Sequence, residues 1–474
     1  MYSVSPSTKI VCTIGPSSAN ERTLSAMAMA GMTVCRLNFS HGTHENHAEL
    51  IELIRRVAKK TEKNLAILQD LQGPKIRVGE LPKEGITLPT GSEISFTSGV
   101  SRSSKVLSVS YPRLAKEVRV GHRLLFDDGL LQARVKRVKG EEVLCEMEFG
   151  GTLFSHKGMN LPDTTTTVSS MSEKDRKDLL FGLKQGVDFV ALSFVRSATD
   201  IRELRTLIEK HAGRGVHPRI IAKIEKPEAL EDLDAIIEAT DGIMVARGDL
   251  GIEIPAERVP LVQKDLIRRC LFAAKPVIVA TQMLDSMIRQ PRATRAEISD
   301  VANAAIDHTD ATMLSGESAT GAFPLEAVQT MSRTLLEVEK SSLDDLPPHL
   351  RLHPEQPEEA MTNVATILSH ALNAKAIVCL TDTGEAVRLL SRHRPSMPIY
   401  ACTDKGHIGR QANLSWGVIP CVFPSWKDRH AWDKQALAWL HKKKLVKTGD
   451  ELIFVGGEPL GKTGQVPWIE VRSV

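Results

Sequence analysis

In the stretch RIIAKIEKPEAL, Lys223 and Glu225 stand two residues apart at the end of an apolar, β-branched run. Alternation along a strand sends both side chains to one face, so an ammonium and a carboxylate meet where the composition asks for burial. An unpaired charge in such a place costs several kcal/mol, and a buried pair is not clearly better than two apolar residues. The two residues are therefore either a structural ion pair or part of a site that a ligand completes. Other runs of the same kind end in the same way. TVCRLNF and the residue after it offer Arg36, Asn38 and Ser40, spaced by two and so on one face; LAILQDL offers Asp70, DFVALSF offers Ser193, GIMVARG leads into Asp249, and PVIVATQ offers Thr281. Glu225 and Asp249 are hard oxygen donors suited to Mg2+, which usually keeps waters and binds through one or two carboxylates plus substrate oxygens. Arg36 and Lys223 are the cations expected around a phosphoryl group. Taken singly, each residue is as readily a salt bridge or a cap. Gathered at one place, they would form a site for handling phosphoryl groups.

What would gather them is a barrel. Eight short apolar runs recur, the first being KIVCTIG and the last ATMLSG, and helical patterns separate most of them. Nearly continuous apolar strands alternating with helices indicate a parallel sheet covered on its outer face. The helices carry their own signals. Ser172 with Asp175 opens SEKDRKDLLFGLKQG, which Gly186 closes, and Thr294 with Glu297 opens TRAEISDVANAAI as a capping box. In the latter, Ile298, Val301, Ala302 and Ala305 make one apolar stripe for packing on the sheet. Eight such units spread over roughly 340 residues exceed the ~250 that a (β/α)8 TIM barrel needs, so one connection must hold an insertion. It is visible between the third and fourth runs, where GITLPTGSEISFTSG and DDGLLQARVKRVKGEEVLCEMEF alternate between Gly-bounded turns like antiparallel β structure. The expected fold class is α/β: a TIM barrel over 1–74 and 166–343, an inserted small β-barrel lid domain over 75–165, and a C-terminal α/β regulatory domain over 344–474. The last boundary is the Pro- and acid-rich SSLDDLPPHLRLHPEQPEEA, after which strand, helix and strand resume. Barrel chemistry sits at the C-terminal strand ends, and the insertion leaves the third strand there, placed to act as a lid.

The 474 residues carry 61 basic and 58 acidic side chains, a formal net charge of +3, so no global basic field draws in a polyanion and nucleic acid is not an expected partner. Hydrophobic residues at 42% and charged ones at 25% belong to a soluble globular chain rather than a disordered or fibrous one. The seven cysteines are dispersed and include no CxxC pair, and several lie in apolar runs where a thiol behaves as a small core residue. No segment approaches the ~20 apolar residues of a membrane span, and MYSVSPSTKI lacks the basic-then-apolar order of a leader. A cytoplasmic protein without membrane contact is expected.

TKIVCTIGPSS, RLNFSHG, DLQGPKIR, KGMNLP, IIAKIEKPEAL, DGIMVARGDLGIEIP, VIVATQML and PRATRAEISDVANAAIDHTDATMLSGESATGAFP follow one another nearly end to end, and together they resemble the pyruvate kinase family. The resemblance implies phosphoryl transfer from phosphoenolpyruvate to ADP, giving pyruvate and ATP, with Mg2+ or in its place Mn2+, in a homotetramer with a mobile β lid. By the same resemblance Arg36 and Lys223 hold the transferring phosphoryl, Glu225 and Asp249 bind the Mg2+, and backbone groups of Gly248 and Asp249 orient the substrate carboxylate, with Ser193 among the substrate contacts. Thr281 lies by the methylene carbon that is protonated once the enolate forms, the donor being either the hydroxyl or a relayed water. Arg77 and Lys157 resemble nucleotide-phosphate contacts at the lid, with Asn38 and His41 near the nucleotide.

One departure matters. Potassium-requiring members have an acidic residue where GPKIR has Lys75 and a hydroxyl where QDLQ has Leu71. Lys75, with Asn38, Ser40 and Asp70 around it, would supply the charge of the ion itself, so K+ is not expected to be required. HGTHENH tempts a metal reading, but no Cys or acidic cluster joins it at accepted spacings, and a polar helix start is the stronger account. GGEPLGKT satisfies the P-loop pattern literally, yet Pro467 and strand formers follow it instead of a helix, so an ATPase reading is rejected. The resemblance makes this the effector-loop region opposite TDTG, with Thr381, Thr383, Gly384, Lys462 and Thr463 as candidate contacts for a phosphorylated metabolite. Activated relatives take fructose 1,6-bisphosphate there. Here Asp382 and Glu385 add negative charge, which disfavours a doubly phosphorylated sugar and points to a sugar monophosphate or AMP. Two other readings stay open. Another phosphoenolpyruvate or pyruvate barrel enzyme, such as a metal-dependent aldolase, leaves the insertion and Arg77 unexplained; a catalytically silent paralogue is disfavoured by the presence of Lys223, Glu225 and Asp249.

Overall fold

Eight parallel strands close into a barrel in the computed structural model, which describes residues 5–99, 106–213, 217–346, 356–424, 428–458 and 466–474. In order they are Lys9–Thr13, Met32–Asn38, Ala66–Asp70, Phe189–Leu192, Arg219–Ile224, Gly242–Ala246, Val277–Ala280 and Ala311–Leu314, the first pairing with the last. Each coincides with one of the eight apolar runs. Most are buried at every position, because one face fills the barrel and the other lies under helices. Helix Glu173–Gln185 opens on the Ser172–Asp175 capping box and closes on the left-handed Gly186; helix Arg295–Ile306 opens on Thr294–Glu297. The buried face of the second helix is Val301, Ala304 and Ala305, with Ile298 and Ala302 half-buried. The stripe is turned by a residue from the expected one because the helix also packs against helix Pro324–Val338.

The barrel interior is filled by Val11, Val34, Leu68, Phe189, Ile221, Met244, Ile278 and Met313, with Leu414 of the C-terminal domain packed against the same cluster. The insertion has a core of its own around Val78, Phe96, Phe126, Val143 and Met147. It folds as a mostly antiparallel six-stranded sheet and a two-stranded ribbon, and the chain leaves and rejoins the barrel at adjacent points, since Arg77 bridges to Gly158.

The C-terminal domain is a five-stranded sheet in which the last pair, Glu451–Glu458 and Val466–Ser473, is antiparallel and the rest parallel. GGEPLGKT thus connects two strands and opens no helix; its Lys462 and Thr463 lie outside the described residues, as does part of the expected boundary segment. This domain grips the N-terminal end of the barrel. Arg394 reaches Asp310 and the His308 carbonyl at 3.1 and 2.7 Å, Arg410 reaches Asp188 at 2.7 Å, and Lys9 donates to the Val418 carbonyl at 2.7 Å. All seven cysteines are free and buried, and among the described residues no helix is long and apolar enough to cross a membrane.

Candidate active site

The inward register of several strands runs on past the packed interior into polar residues: Val34 to Arg36, Leu68 to Asp70, Ala191 to Ser193, Ile221 to Lys223. Parallel pairing aligns these positions, with Arg36 opposite Leu68 and Asn38 opposite Asp70, so the side chains emerge together at the C-terminal mouth. Lys223 is the hub. Its Nζ stands 2.8 Å from Ser193 Oγ, 2.8 Å from Glu225 Oε1 and 3.4 Å from Asp70 Oδ1. Asp70 Oδ2 accepts from Arg36 Nε at 2.7 Å, and Arg36 Nη1 donates to Thr13 Oγ1 at 2.9 Å. Glu225 Oε2 accepts the Phe194 N–H at 2.8 Å. The acids are sealed, with Asp70 and Glu225 side chains 2% and 1% exposed, whereas Arg36 and Lys223 keep 12% and 11%. An anion entering the mouth therefore meets cations.

Burial pulls the Lys223 ammonium down, but Asp70 and Glu225 more than reverse it and hold it above its ordinary value. Burial likewise raises Asp70, and Lys223 with Arg36 overcomes it, so this carboxyl stays below the usual range. Glu225 goes the other way. Burial and the nearby Asp249 push its carboxyl up against the pull of Lys223. Its Oε1 lies 2.8 Å from the Lys223 ammonium. A buried carboxylate, pushed up by a second carboxylate nearby, fits a divalent cation. Among the described residues no three acidic, imidazole or thiol groups stand together as a protein-only metal cage.

Thr281 follows the seventh strand in the left-handed region at φ 72°, a conformation that costs a β-branched residue about 1–3 kcal/mol. Its Oγ1 accepts the Gly248 N–H at 2.8 Å and donates to the Ala280 carbonyl at 2.6 Å. The amide expected to orient a substrate carboxylate is thus taken by Thr281. Arg247 holds this turn: it donates to the Thr281 carbonyl at 2.7 Å and grips Asp300 through two nitrogens at 2.8 and 2.7 Å. Thr13 and Arg247 are the positioning residues that sequence reasoning passed over. Thr13 ends the first strand and would be found by the same strand-end rule; Arg247 depends on a partner 53 residues away.

On the lid, Arg77 Nη1 donates to the His156 carbonyl at 2.9 Å and Lys157 pairs with Asp127 at 2.7 Å. Asn38 Oδ1 accepts the Ser40 N–H at 3.1 Å, and His41 is exposed. HGTHENH is a helix start, capped by Thr43 with Asn46. Lys75 does not complete the expected ring. It makes no hydrogen bond or ion pair with Asn38, Ser40 or Asp70, and a Cβ placed on Gly158 of the lid would fall 3.6 Å from its Nζ. Asp70 is already occupied by Arg36 and Lys223, and the loop carries Lys75 toward the lid instead. In the C-terminal domain, Thr381 Oγ1 accepts the Gly384 N–H at 2.8 Å, Gly384 being left-handed at φ 81°. The Thr383 carbonyl accepts from Arg219. Asp382 is paired with Lys405 at 3.2 Å, so less negative charge stands there than its sequence neighbours suggest.

Comparison with known proteins adds a family. The model "Pyruvate kinase, barrel domain" matches residues 5–328 and "Pyruvate kinase, alpha/beta domain" matches residues 359–471. The pyruvate kinase of Clostridium perfringens is 42% identical over 98% of this chain and 99% of its own, and that of Geobacillus stearothermophilus 43% over 98% and 80%. A crystal structure of a pyruvate kinase from Cryptosporidium parvum superposes with a TM-score of 0.90 at 38% identity, covering 98% of this chain and 96% of that one. With both domain models in sequence order, relatives spanning almost its whole length and a barrel mouth built around Lys223, this chain belongs to the pyruvate kinase family.

Proposed function

We infer that this chain transfers the phosphoryl group of phosphoenolpyruvate to ADP, giving pyruvate and ATP. The observation that carries the reading is Lys223, held between Asp70 and Glu225 with Arg36 alongside at the barrel mouth. Phosphoryl transfer asks mainly for positioning and charge neutralisation. Arg36 and Lys223 supply two cations fixed by sealed carboxylates, so they face the transferring phosphoryl without reorganising. Glu225 and Asp249 would hold Mg2+, or Mn2+, which would supply neutralisation of the charge that develops on the substrate. Asp249 and its neighbouring amides orient the substrate carboxylate, and the Gly248 N–H becomes available when the Thr281 hydroxyl turns toward substrate. Ser193 Oγ accepts from the Lys223 ammonium and fixes it. Thr281 then lies beside the methylene carbon and directs its proton, directly or through a water. Arg77 and Lys157 on the lid take the nucleotide phosphates, with Asn38 and His41 at the nucleotide's edge.

K+ is not required on this reading, because Lys75 and Leu71 replace the acid and the hydroxyl; lid closure must bring Lys75 toward Asn38, Ser40 and Asp70. A phosphorylated metabolite acts at Thr381, Thr383 and Gly384 with Lys462 and Thr463. A homotetramer is supported by exposed Val364 and Ile367 on helix Pro357–Ala371, packed beside the last strand with its exposed Val471. Free, buried cysteines suit the cytoplasm. The test is a coupled assay of pyruvate formation from phosphoenolpyruvate, ADP and Mg2+, with Lys223→Met as control. Wild type should exceed the variant by roughly a hundredfold or more; equal rates would reject the catalytic reading.

A further inference from the structure

Thr281 is fastened from one short stretch of chain, Arg247 and Gly248. Its Oγ1 accepts the Gly248 N–H at 2.8 Å and donates to the Ala280 carbonyl at 2.6 Å. Arg247, the first residue of helix Arg247–Glu253, sends its guanidinium to the same turn: Nε donates to the Ala280 carbonyl at 3.2 Å and Nη2 to the Thr281 carbonyl at 2.7 Å. The Ala280 carbonyl, on a fully buried residue, therefore has two donors, the hydroxyl and the guanidinium. Thr281 and Gln282 are both left-handed, at φ 72° and 54°, so the turn holds only because its surroundings over-determine it. Asp300 fixes Arg247 in its turn. Standing on helix Arg295–Ile306, it takes Nη1 at 2.8 Å and Nη2 at 2.7 Å, the two-point geometry that sets a guanidinium plane. Gln263 Oε1 at 3.3 Å and Met283 Sδ at 2.8 Å complete the contacts of the fork. Among the described residues no hydrogen bond or ion pair joins Arg247 or Asp300 to Arg36, Lys223 or Glu225.

In the reaction inferred above, on which this step rests, the enolate left after phosphoryl transfer takes a proton at its methylene carbon. The C–H bond forms with the electron pair of the enolate double bond as the O–H bond of the Thr281 hydroxyl, or of a water it holds, breaks; solvent refills that oxygen. The hydroxyl reaches toward the carbon only by leaving the Ala280 carbonyl, and a buried carbonyl abandoned by its donor is costly unless another stays. Arg247 Nε is that other donor. We propose that Arg247, fixed by Asp300, is the positioning residue for the proton-transfer half of the reaction. It keeps the Ala280 carbonyl satisfied and the strained turn in place while the hydroxyl swings. The phosphoryl-transfer half belongs to Arg36 and Lys223, which the Arg247–Asp300 pair does not touch.

The test reads the two halves separately on wild type, Asp300→Ala, Asp300→Glu and Arg247→Lys. ATP formed from phosphoenolpyruvate and ADP with Mg2+ reports phosphoryl transfer. Deuterium entering the methyl group of pyruvate in D2O, with Mg2+ and inorganic phosphate and followed by NMR, reports the proton step run backwards. Asp300→Ala and Arg247→Lys, which loses the fork and keeps the charge, should lower deuterium uptake roughly tenfold or more, while ATP formation falls by no more than about threefold. Asp300→Glu, which keeps a carboxylate, should recover most of the uptake. If Asp300→Ala does not fold, Asp300→Asn, which keeps the shape, must show the same unequal loss. Equal losses in the two rates, uptake unchanged in both Asp300→Ala and Arg247→Lys, or no recovery in Asp300→Glu would each overturn the proposal while wild type still forms ATP. Wild type that forms no ATP would overturn the functional reading beneath it, and this proposal with it.

Discussion

Arg36 owes its placement to neighbours that touch no substrate in the proposed reaction. Thr13 Oγ1 takes one nitrogen of Arg36 and Asp70 takes another, so the guanidinium plane is set from two sides. Thr13→Val removes one acceptor and keeps the volume, and a hydrogen bond to a charged group is worth about 1.5–3 kcal/mol. The expected result is a loss of kcat/KM for phosphoenolpyruvate of roughly tenfold with the melting temperature little changed; unaltered kinetics would show that Asp70 alone orients Arg36. The residue scale was largely legible in the sequence because strand alternation and the strand-end rule need no distances: Arg36, Asp70, Ser193, Lys223 and Glu225 all meet as their spacing requires. What depends on long-range geometry was not legible. Lys75 sits in its motif, yet its direction is set by the lid, and the Lys405 that neutralises Asp382 lies on another loop.

At the scale of elements, two junctions carry distinct charges. Between lid and barrel, Glu253 Oε1 accepts from Asn160 of the lid at 2.8 Å and from Lys226 of the barrel at 2.6 Å, with the Glu253 side chain 1% exposed. Glu253→Gln keeps the shape and loses the charge. It should cost about 1–3 kcal/mol of local stability and speed hydrogen exchange at 159–160; exchange identical to wild type would mean the lid is anchored elsewhere. Beyond helix Pro324–Val338, Asp344 is buried, and burial with the charge of Glu339 pushes its carboxyl up to about 7. The folded chain therefore keeps a proton there that the unfolded chain releases near pH ~4. The stability this gives is whole below that pH and is lost as pH rises to about 7. Melting temperatures measured across this window should fall more steeply for wild type than for Asp344→Asn, and parallel curves would contradict the assignment. The strands and capped helices were legible because period and caps are local, whereas the half-buried Ala302 was not, since a neighbouring helix decides which side of the stripe is covered.

For the whole molecule, the three-domain organisation was readable from the excess length between the third and fourth strands and from the Pro-rich segment after the eighth, but the grip of the C-terminal domain on the barrel's N-terminal end was not. It rests on pairs such as Arg394 with Asp310 and Arg410 with Asp188, which no local pattern announces. On the proposed reading Lys75 stands in for the ion once the lid closes, so replacing Na+ by K+ at constant ionic strength should leave the steady-state rate within roughly twofold; a many-fold rise would remove that role. The bridge between Arg77 and Gly158 has a further consequence. A polypeptide that departs and returns through one doorway can have everything beyond the doorway cut out or exchanged without rethreading the staves it departs from. Excision at that seam should leave a closed eight-stave cylinder that still folds but turns over no nucleotide, which makes the cap a replaceable module.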